Sequence, residues 1–75
     1  MIITKQFRLT DIDCPVCAGK VEEGIAAIDG VISARVDFLV LKLTIEAEES
    51  DFPNIMKKAE KAVHKVEPDC DIEDL

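Results

Sequence analysis

Apolar and polar residues alternate in three stretches of the chain, at residues 2–9, 31–38 and 41–47. A period of two is typical of half-buried β-strands, because successive side chains of a strand point to opposite faces of the sheet. Only Leu39 and Val40 separate the second and third stretches, which predicts a β-hairpin with an apolar turn. The predicted inward positions are Ile3, Phe7 and Leu9 in the first stretch, Ile32, Ala34, Val36 and Phe38 in the second, and Leu41, Leu43, Ile45 and Ala47 in the third.

Two further stretches repeat apolar residues at intervals of three and four, the spacing of amphipathic helices. The first helix is predicted to begin at Pro15, whose missing N–H costs nothing in a first turn, and to end at Asp29-Gly30. The second helix is predicted to begin at a cap formed by Ser50 or Asp51 and to end before Pro68.

A short last strand over residues 69–73 completes the order strand, helix, strand, strand, helix, strand. This split βαβ order predicts an α+β fold in which four antiparallel strands form one sheet and both helices cover one of its faces. Seventy-five residues are enough for one domain only, so residues 1–75 are predicted to form a single domain.

The chain is strongly acidic, with nine basic and sixteen acidic residues and a formal net charge of −7. Nucleic acids and anionic lipids are therefore expected to repel it, whereas cations and basic protein faces attract it. The sequence contains no signal-peptide pattern and no long apolar stretch. We therefore expect a cytoplasmic location, free or as the cytosolic domain of a membrane protein, without direct membrane insertion.

Two cysteines, Cys14 and Cys17, lie three positions apart between the first strand and the first helix, with Asp13 directly before them. In a reducing compartment such a thiol pair is more often a metal or redox site than a structural disulfide. Two thiolates and a carboxylate suit a soft or borderline divalent ion. The free N–H groups at the helix start favour thiolate over thiol, and we expect them to lower the pKa of Cys17 most directly.

Four segments along the chain form one specific combination: residues 13–22 (DCPVCAGKVE), 28–31 (IDGV), 36–38 (VDF) and 42–44 (KLT). Together they resemble the heavy-metal-associated domain, a family that comprises the N-terminal metal-binding domains of heavy-metal P-type ATPases and small metallochaperones. The resemblance covers nearly the whole chain. It implies a ferredoxin-like βαββαβ fold and a metal-binding module that is not itself an enzyme.

The resemblance also implies which residues bind the metal. The family's two ligand cysteines fall on Cys14 and Cys17, and an Asp directly before the first cysteine resembles the zinc, cadmium and lead exporters. Asp13 is therefore expected as a further ligand, and Zn(II), with Cd(II) or Pb(II), as the ion. The implied setting is the cytosolic N-terminal domain of a P-type ATPase, with a membrane transporter domain or a metallochaperone as partner.

Two other functions fit the thiol pair. Copper domains of the family usually carry Thr or a similar residue at the position of Asp13, but dithiolates bind Cu(I) strongly, so a copper chaperone or copper-ATPase domain is the first alternative. A CxxC pair at a helix start also serves thiol–disulfide exchange. Asp13 would raise the thiol pKa, the wrong direction for a reactive nucleophile.

Four more residues around the loop have predicted places. Glu67 is a candidate oxygen ligand, although a solvated side chain is favoured, and Cys70 is expected in the core as a small hydrophobic residue. His64 is expected on the surface or half-buried. A ligand role for His64, and a ligand or disulfide role for Cys70, are the less favoured alternatives. Ile12 is expected to fill an apolar slot beneath the loop, where family members commonly carry Met.

Overall fold

The computed structural model describes residues 1–75 and contains one four-stranded sheet and two α-helices. The elements are β1 (Ile2–Leu9), α1 (Pro15–Ala26), β2 (Val31–Asp37), β3 (Lys42–Glu48), a short 3-10 turn (Glu49–Asp51), α2 (Phe52–Val66) and β4 (Ile72–Asp74). The sheet order is β2-β3-β1-β4, and every neighbouring pair is antiparallel. The predicted α+β, ferredoxin-like order of elements is confirmed.

The core is one cluster that contains residues from the central strands, both helices and two loops. Because the inward side chains of β1 and β3 meet those of α1 and α2 in this cluster, both helices pack on the same face of the sheet. No polar or charged side chain is buried, so every charged group remains available at the surface. The buried residues are Phe7, Leu9, Ile12, Ala18, Val21, Ile25, Ala34, Leu43, Ile45, Ala47, Phe52, Ile55, Ala59, Val63 and Cys70.

Strand β2 departs from the predicted alternation at its start. Val31 pairs with Ala47 and Ser33 pairs with Glu46, so Ile32 is an extra residue in a β-bulge. The predicted inward position of Ile32 is wrong: its side chain is 54% exposed, and Val31 turns toward the core instead. A bulge shifts the alternation by one residue, which a strict period of two cannot anticipate.

Helix α1 is shorter than predicted, whereas α2 has its predicted bounds. Helix α1 ends at Ala26, before the predicted Asp29-Gly30, and Gly30 takes a left-handed φ of 96° in the turn that follows. Helix α2 begins at Phe52, and Asp51 precedes it at the cap position without a side-chain cap hydrogen bond. Neither helix has the length and apolar composition that a membrane crossing requires.

The turn between β2 and β3 is longer than predicted and lies at the surface. It spans residues 38–41, because Leu41 adopts a left-handed φ of 51° and β3 starts only at Lys42. Leu39 is 92% exposed, and Val40 is also exposed. The apolar turn therefore lies at the surface and is not buried in the core.

Close packing of the two helices at Gly24 gives a testable prediction. A Cβ added at Gly24 would lie 3.4 Å from the Cβ of Ala62, whereas Gly19, also in α1, has no neighbour within 4 Å. We expect Gly19→Leu to stabilise the fold by up to about 1 kcal/mol through helix propensity. Gly24→Leu should instead destabilise it by about 1–3 kcal/mol through overpacking against α2.

Urea unfolding of the two variants beside the unchanged chain measures both effects. Gly24→Ala adds a check at the same position, because a single methyl group fits the gap and should leave stability unchanged or raised. Equal tolerance of leucine at Gly19 and Gly24 would show that the helices do not pack this closely.

Candidate metal centre

The β1–α1 loop, residues 10–14, is held by backbone contacts on both sides. The N–H of Thr10 donates to the carbonyl oxygen of Asp71 at 3.1 Å, and the N–H of Asp71 donates back to Thr10 Oγ1 at 2.9 Å. On the other side, Leu9 N–H donates to the carbonyl of Leu41 at 2.8 Å. The loop therefore lies between the β2–β3 turn and the segment before β4.

Ile12 fixes the loop from within. Its side chain is only 4% exposed and belongs to the core cluster, which confirms the predicted apolar slot. Its neighbours Asp11 and Asp13 are both exposed. Asp11 adopts a left-handed φ of 55°, a conformation that Asp tolerates better than most residues. The buried isoleucine thus presents a carboxylate to solvent on each side of it.

The two cysteines lie at the start of α1. Cys14 has extended backbone angles and occupies the helix cap, with Pro15 in the first turn, and its carbonyl accepts the N–H of Ala18 at 3.0 Å. Cys17 lies three residues further on, within the first turn, and residues at this spacing share one side of a helix. Both side chains are partly exposed, so an ion from solvent can reach them.

The helix start acts on Cys14 rather than on Cys17. Hydrogen bonding with the backbone N–H of Cys17, then with its side chain and with the N–H of Val16, lowers the pKa of Cys14. The uncharged Cys14 thiol makes no cap hydrogen bond, but a thiolate at a cap position faces these N–H groups and is stabilised by them.

The pKa of Cys17 is raised, chiefly by its hydrogen bond with Cys14, then by burial and by the negative charges of Cys14 and Glu67. Lys20 acts in the opposite direction. The prediction that Cys17 has the more strongly lowered pKa is therefore wrong. The sequence did contain a feature that indicates the correct order: Pro15 at the first helical position makes Cys14 the cap residue.

An open depression with acidic walls lies beside the thiols, and its volume is about 650 Å³. Four carboxylates from the two loops at this end of the sheet line it, together with Ile12 and Leu41. This acidic depression is a region of negative potential that attracts cations. Asp13 and Glu67 were predicted from the sequence as candidate ligands, whereas Asp11 and Asp69 were not. All four follow strands or helices that end at the same end of the predicted sheet, and this shared position could have indicated them. The carboxylate residues are Asp11, Asp13, Glu67 and Asp69.

The remaining candidates lie where the sequence placed them. Cys70 is fully buried, with Sγ 3.8 Å from the carbonyl oxygen of Asp71, and burial raises its pKa. His64 is 47% exposed, and its Nε2 lies 3.5 Å from Oδ1 of Asp71. In this conformation no three His, Cys, Asp or Glu side chains converge as a metal-binding group. Asp13 is exposed beside the thiols without completing such a set.

The sequence profile of the heavy-metal-associated domain matches residues 6–69, a range that contains both partly exposed cysteines. The chain belongs to the heavy-metal-associated domain family. It is therefore a heavy-metal-binding module related to the N-terminal domains of heavy-metal P-type ATPases and to metallochaperones.

Relatives of this heavy-metal-associated domain include proteins associated with different metals. A cadmium, zinc and cobalt-transporting ATPase of Bacillus subtilis (strain 168) is 30% identical over 67 residues, which are 89% of this chain and 10% of the ATPase. The chain thus spans about a tenth of that relative.

Two solved structures have the same fold. The N-terminal domain of ZntA in the apo-form is 25% identical with a TM-score of 0.75, over 100% of this chain and 94% of that one. The N-terminal domain of a potential copper-translocating P-type ATPase from Bacillus subtilis, in the Cu(I)-loaded state, is 24% identical with a TM-score of 0.76. The match covers 99% of this chain and 88% of that one, and at this identity it establishes the fold alone.

The pKa shifts predict the order in which the three thiols react. In the reduced, metal-free domain near pH 7.5, we expect iodoacetamide to modify Cys14 first, Cys17 more slowly and the buried Cys70 last. A lowered pKa means a larger thiolate fraction at a given pH, and the thiolate is the reacting species. Raising the pH should bring the labelling rates of Cys14 and Cys17 closer together, because Cys17 then deprotonates as well.

Mass spectrometry of the digested protein after timed labelling gives the rate at each cysteine. Labelling in urea is the control, because the three rates should become similar once the fold is lost. Faster labelling of Cys17 than of Cys14 in the folded domain would contradict the assignment of Cys14 as the stabilised thiolate.

Proposed function

We propose that the domain binds Zn(II), with Cd(II) or Pb(II) as related cargo, through Cys14, Cys17 and Asp13. The observation that carries this proposal is the exposed carboxylate of Asp13 directly before a partly exposed thiol pair at a helix start. Its side chain is not held in the core, so rotation about its side-chain bonds can direct an oxygen toward an ion on the two sulfurs.

The number of donors favours a divalent ion. Zn(II) prefers four ligands from sulfur, nitrogen and oxygen, whereas Cu(I) is satisfied by two thiolates. Two thiolates and one carboxylate leave a fourth position on Zn(II) for water or for a ligand of the next protein. Such an open position permits transfer by ligand exchange, with no covalent chemistry in the domain.

The charge around the thiols supports the same ion. A divalent ion on two thiolates is neutral, while Cu(I) on the same pair keeps one negative charge. The four carboxylates of the acidic depression would repel that remaining charge and attract a divalent ion. The three carboxylates other than Asp13 therefore favour Zn(II) over Cu(I) in addition to the direct contribution of Asp13.

We further infer that the domain is the cytosolic N-terminal domain of a P-type ATPase that exports the ion. The 30% identity with part of the Bacillus subtilis cadmium, zinc and cobalt-transporting ATPase supports this setting. The partners are then the transporter domain of the same chain, or a metallochaperone whose basic face complements the acidic depression. ATP hydrolysis would belong to the transporter, and this domain would supply the ion.

Replacing Asp13 tests the proposed ligand. We expect Asp13→Asn to weaken Zn(II) binding to the reduced domain at least tenfold, about 1.4 kcal/mol, and not to weaken Cu(I) binding. Competition with a chelator of known affinity measures both ions, and one ion should bind per chain. Cys14→Ser should abolish tight binding of either ion.

Asp11→Asn is the matched control for the Asp13 substitution. It removes one negative charge from the same depression and keeps a residue that tolerates the left-handed φ. Asp11→Asn should change Zn(II) affinity much less than Asp13→Asn. Equal losses would mean that Asp13 acts only through its charge, and no loss at Asp13 would move the copper alternative forward.

A further inference from the structure

The exposed side of helix α2 carries a lysine face, formed by Lys57, Lys58, Lys61 and Lys65. At 100° per residue, the four side chains fall within an arc of about 100°, and Asn54 is the only other residue in that arc. All five residues are exposed. The helix therefore presents one continuous basic face along about two turns, opposite the side that packs on the sheet.

This face is basic although the domain as a whole is acidic. Helix α2 carries a charge of +3, from four lysines and Glu60. Because the net charge of the chain is −7, the rest of the chain carries −10. None of the four lysines forms an ion pair, since the pairs in the domain join Met1 with Glu48 and His64 with Asp71. The i,i+4 neighbours among them repel each other, a small cost that no ion pair within the domain offsets.

We propose that the lysine face docks on an anionic lipid bilayer and holds the domain at the membrane surface. A cluster of lysines on one face of an amphipathic helix is the pattern that anionic lipids attract. A protein partner fits the face less well, because interface centres are enriched in aromatic residues and Arg and depleted of Lys. The lysine face has neither an aromatic residue nor an Arg.

Carboxylates on the far face of the sheet do not prevent this contact at physiological ionic strength. The shortest dimension of the domain is 17 Å, which is about two Debye lengths at 0.15 M salt. Carboxylates on the far side of the sheet are therefore screened from the bilayer, while the lysines lie within reach of it. At 0.01 M salt the Debye length grows to about 30 Å, and the net charge of −7 should then repel the whole domain.

The metal centre remains accessible in this orientation. Helix α2 ends at Val66, and Glu67 follows at the edge of the acidic depression. A domain lying on its lysine face therefore directs the thiols along the membrane plane. The value of such a position for delivery to a transporter rests on the proposed function, but the lipid contact itself does not.

Sedimentation with lipid vesicles tests the contact in the metal-free, reduced chain. At 0.15 M salt and millimolar lipid, we expect binding to vesicles of phosphatidylserine and phosphatidylcholine and none to phosphatidylcholine alone. Lys57→Gln with Lys61→Gln should lower the partition coefficient roughly 30-fold, because each lysine near an anionic surface contributes about 1 kcal/mol. Arg8→Gln with Arg35→Gln is the matched control, since it gives the same net charge on the opposite face of the sheet and should retain binding.

The salt dependence adds a second criterion. Binding should pass through a maximum near 0.1 M salt, because repulsion of the whole domain dominates below it and screening of the lysines dominates above it. Absence of binding to anionic vesicles at 0.15 M, or equal losses in the two double variants, would overturn the proposal. Binding to polyglutamate without binding to vesicles would also overturn it and would assign the face to an acidic protein. Zn(II) titration of the lysine variant separates this test from the metal-binding proposal, because that variant should bind the ion normally.

Discussion

Burial of Ile12 is the contact on which the arrangement of the metal centre depends. It is the only apolar residue between Leu9 and Cys14, and its side chain joins the core formed by both helices and the sheet. With Ile12 inside, the carboxylates of Asp11 and Asp13 must face solvent, and Cys14 arrives at the cap of α1. The loop thus gains a fixed geometry without burying any of its polar side chains.

Two opposing electrostatic influences meet at the thiols. The N–H groups at the start of α1 stabilise a thiolate at Cys14, while the hydrogen bond with Cys14, then burial and the charges of Cys14 and Glu67, oppose a second thiolate at Cys17. An approaching cation therefore meets one thiolate that is already favoured and a neighbour that still holds its proton. Binding of the ion supplies the positive charge that the second deprotonation requires, so metal capture and proton release are linked.

The sequence predicted most of the fold, because period-two and helical spacings survive wherever one face of an element is buried. It failed where backbone geometry departs from that periodicity: at the bulge around Ile32, at the left-handed Leu41, and at the early end of α1. The thiol pair and Asp13 were visible as a motif. The order of the two thiol pKa values was not, since it depends on which sulfur faces the helix N–H groups.

Net charge was also an incomplete guide to the surface, because a chain with a net charge of −7 contains a helix with a charge of +3. The same limit applies to the fold as a guide to the metal. A Cu(I)-loaded domain at 24% identity shares this fold with a TM-score of 0.76, so the fold alone leaves the ion undetermined. Selectivity must come from groups that add donors or charge around the thiol pair. In this chain, such groups are concentrated in the two loops at one end of the sheet, and Asp13 is the carboxylate nearest to the thiols along the sequence.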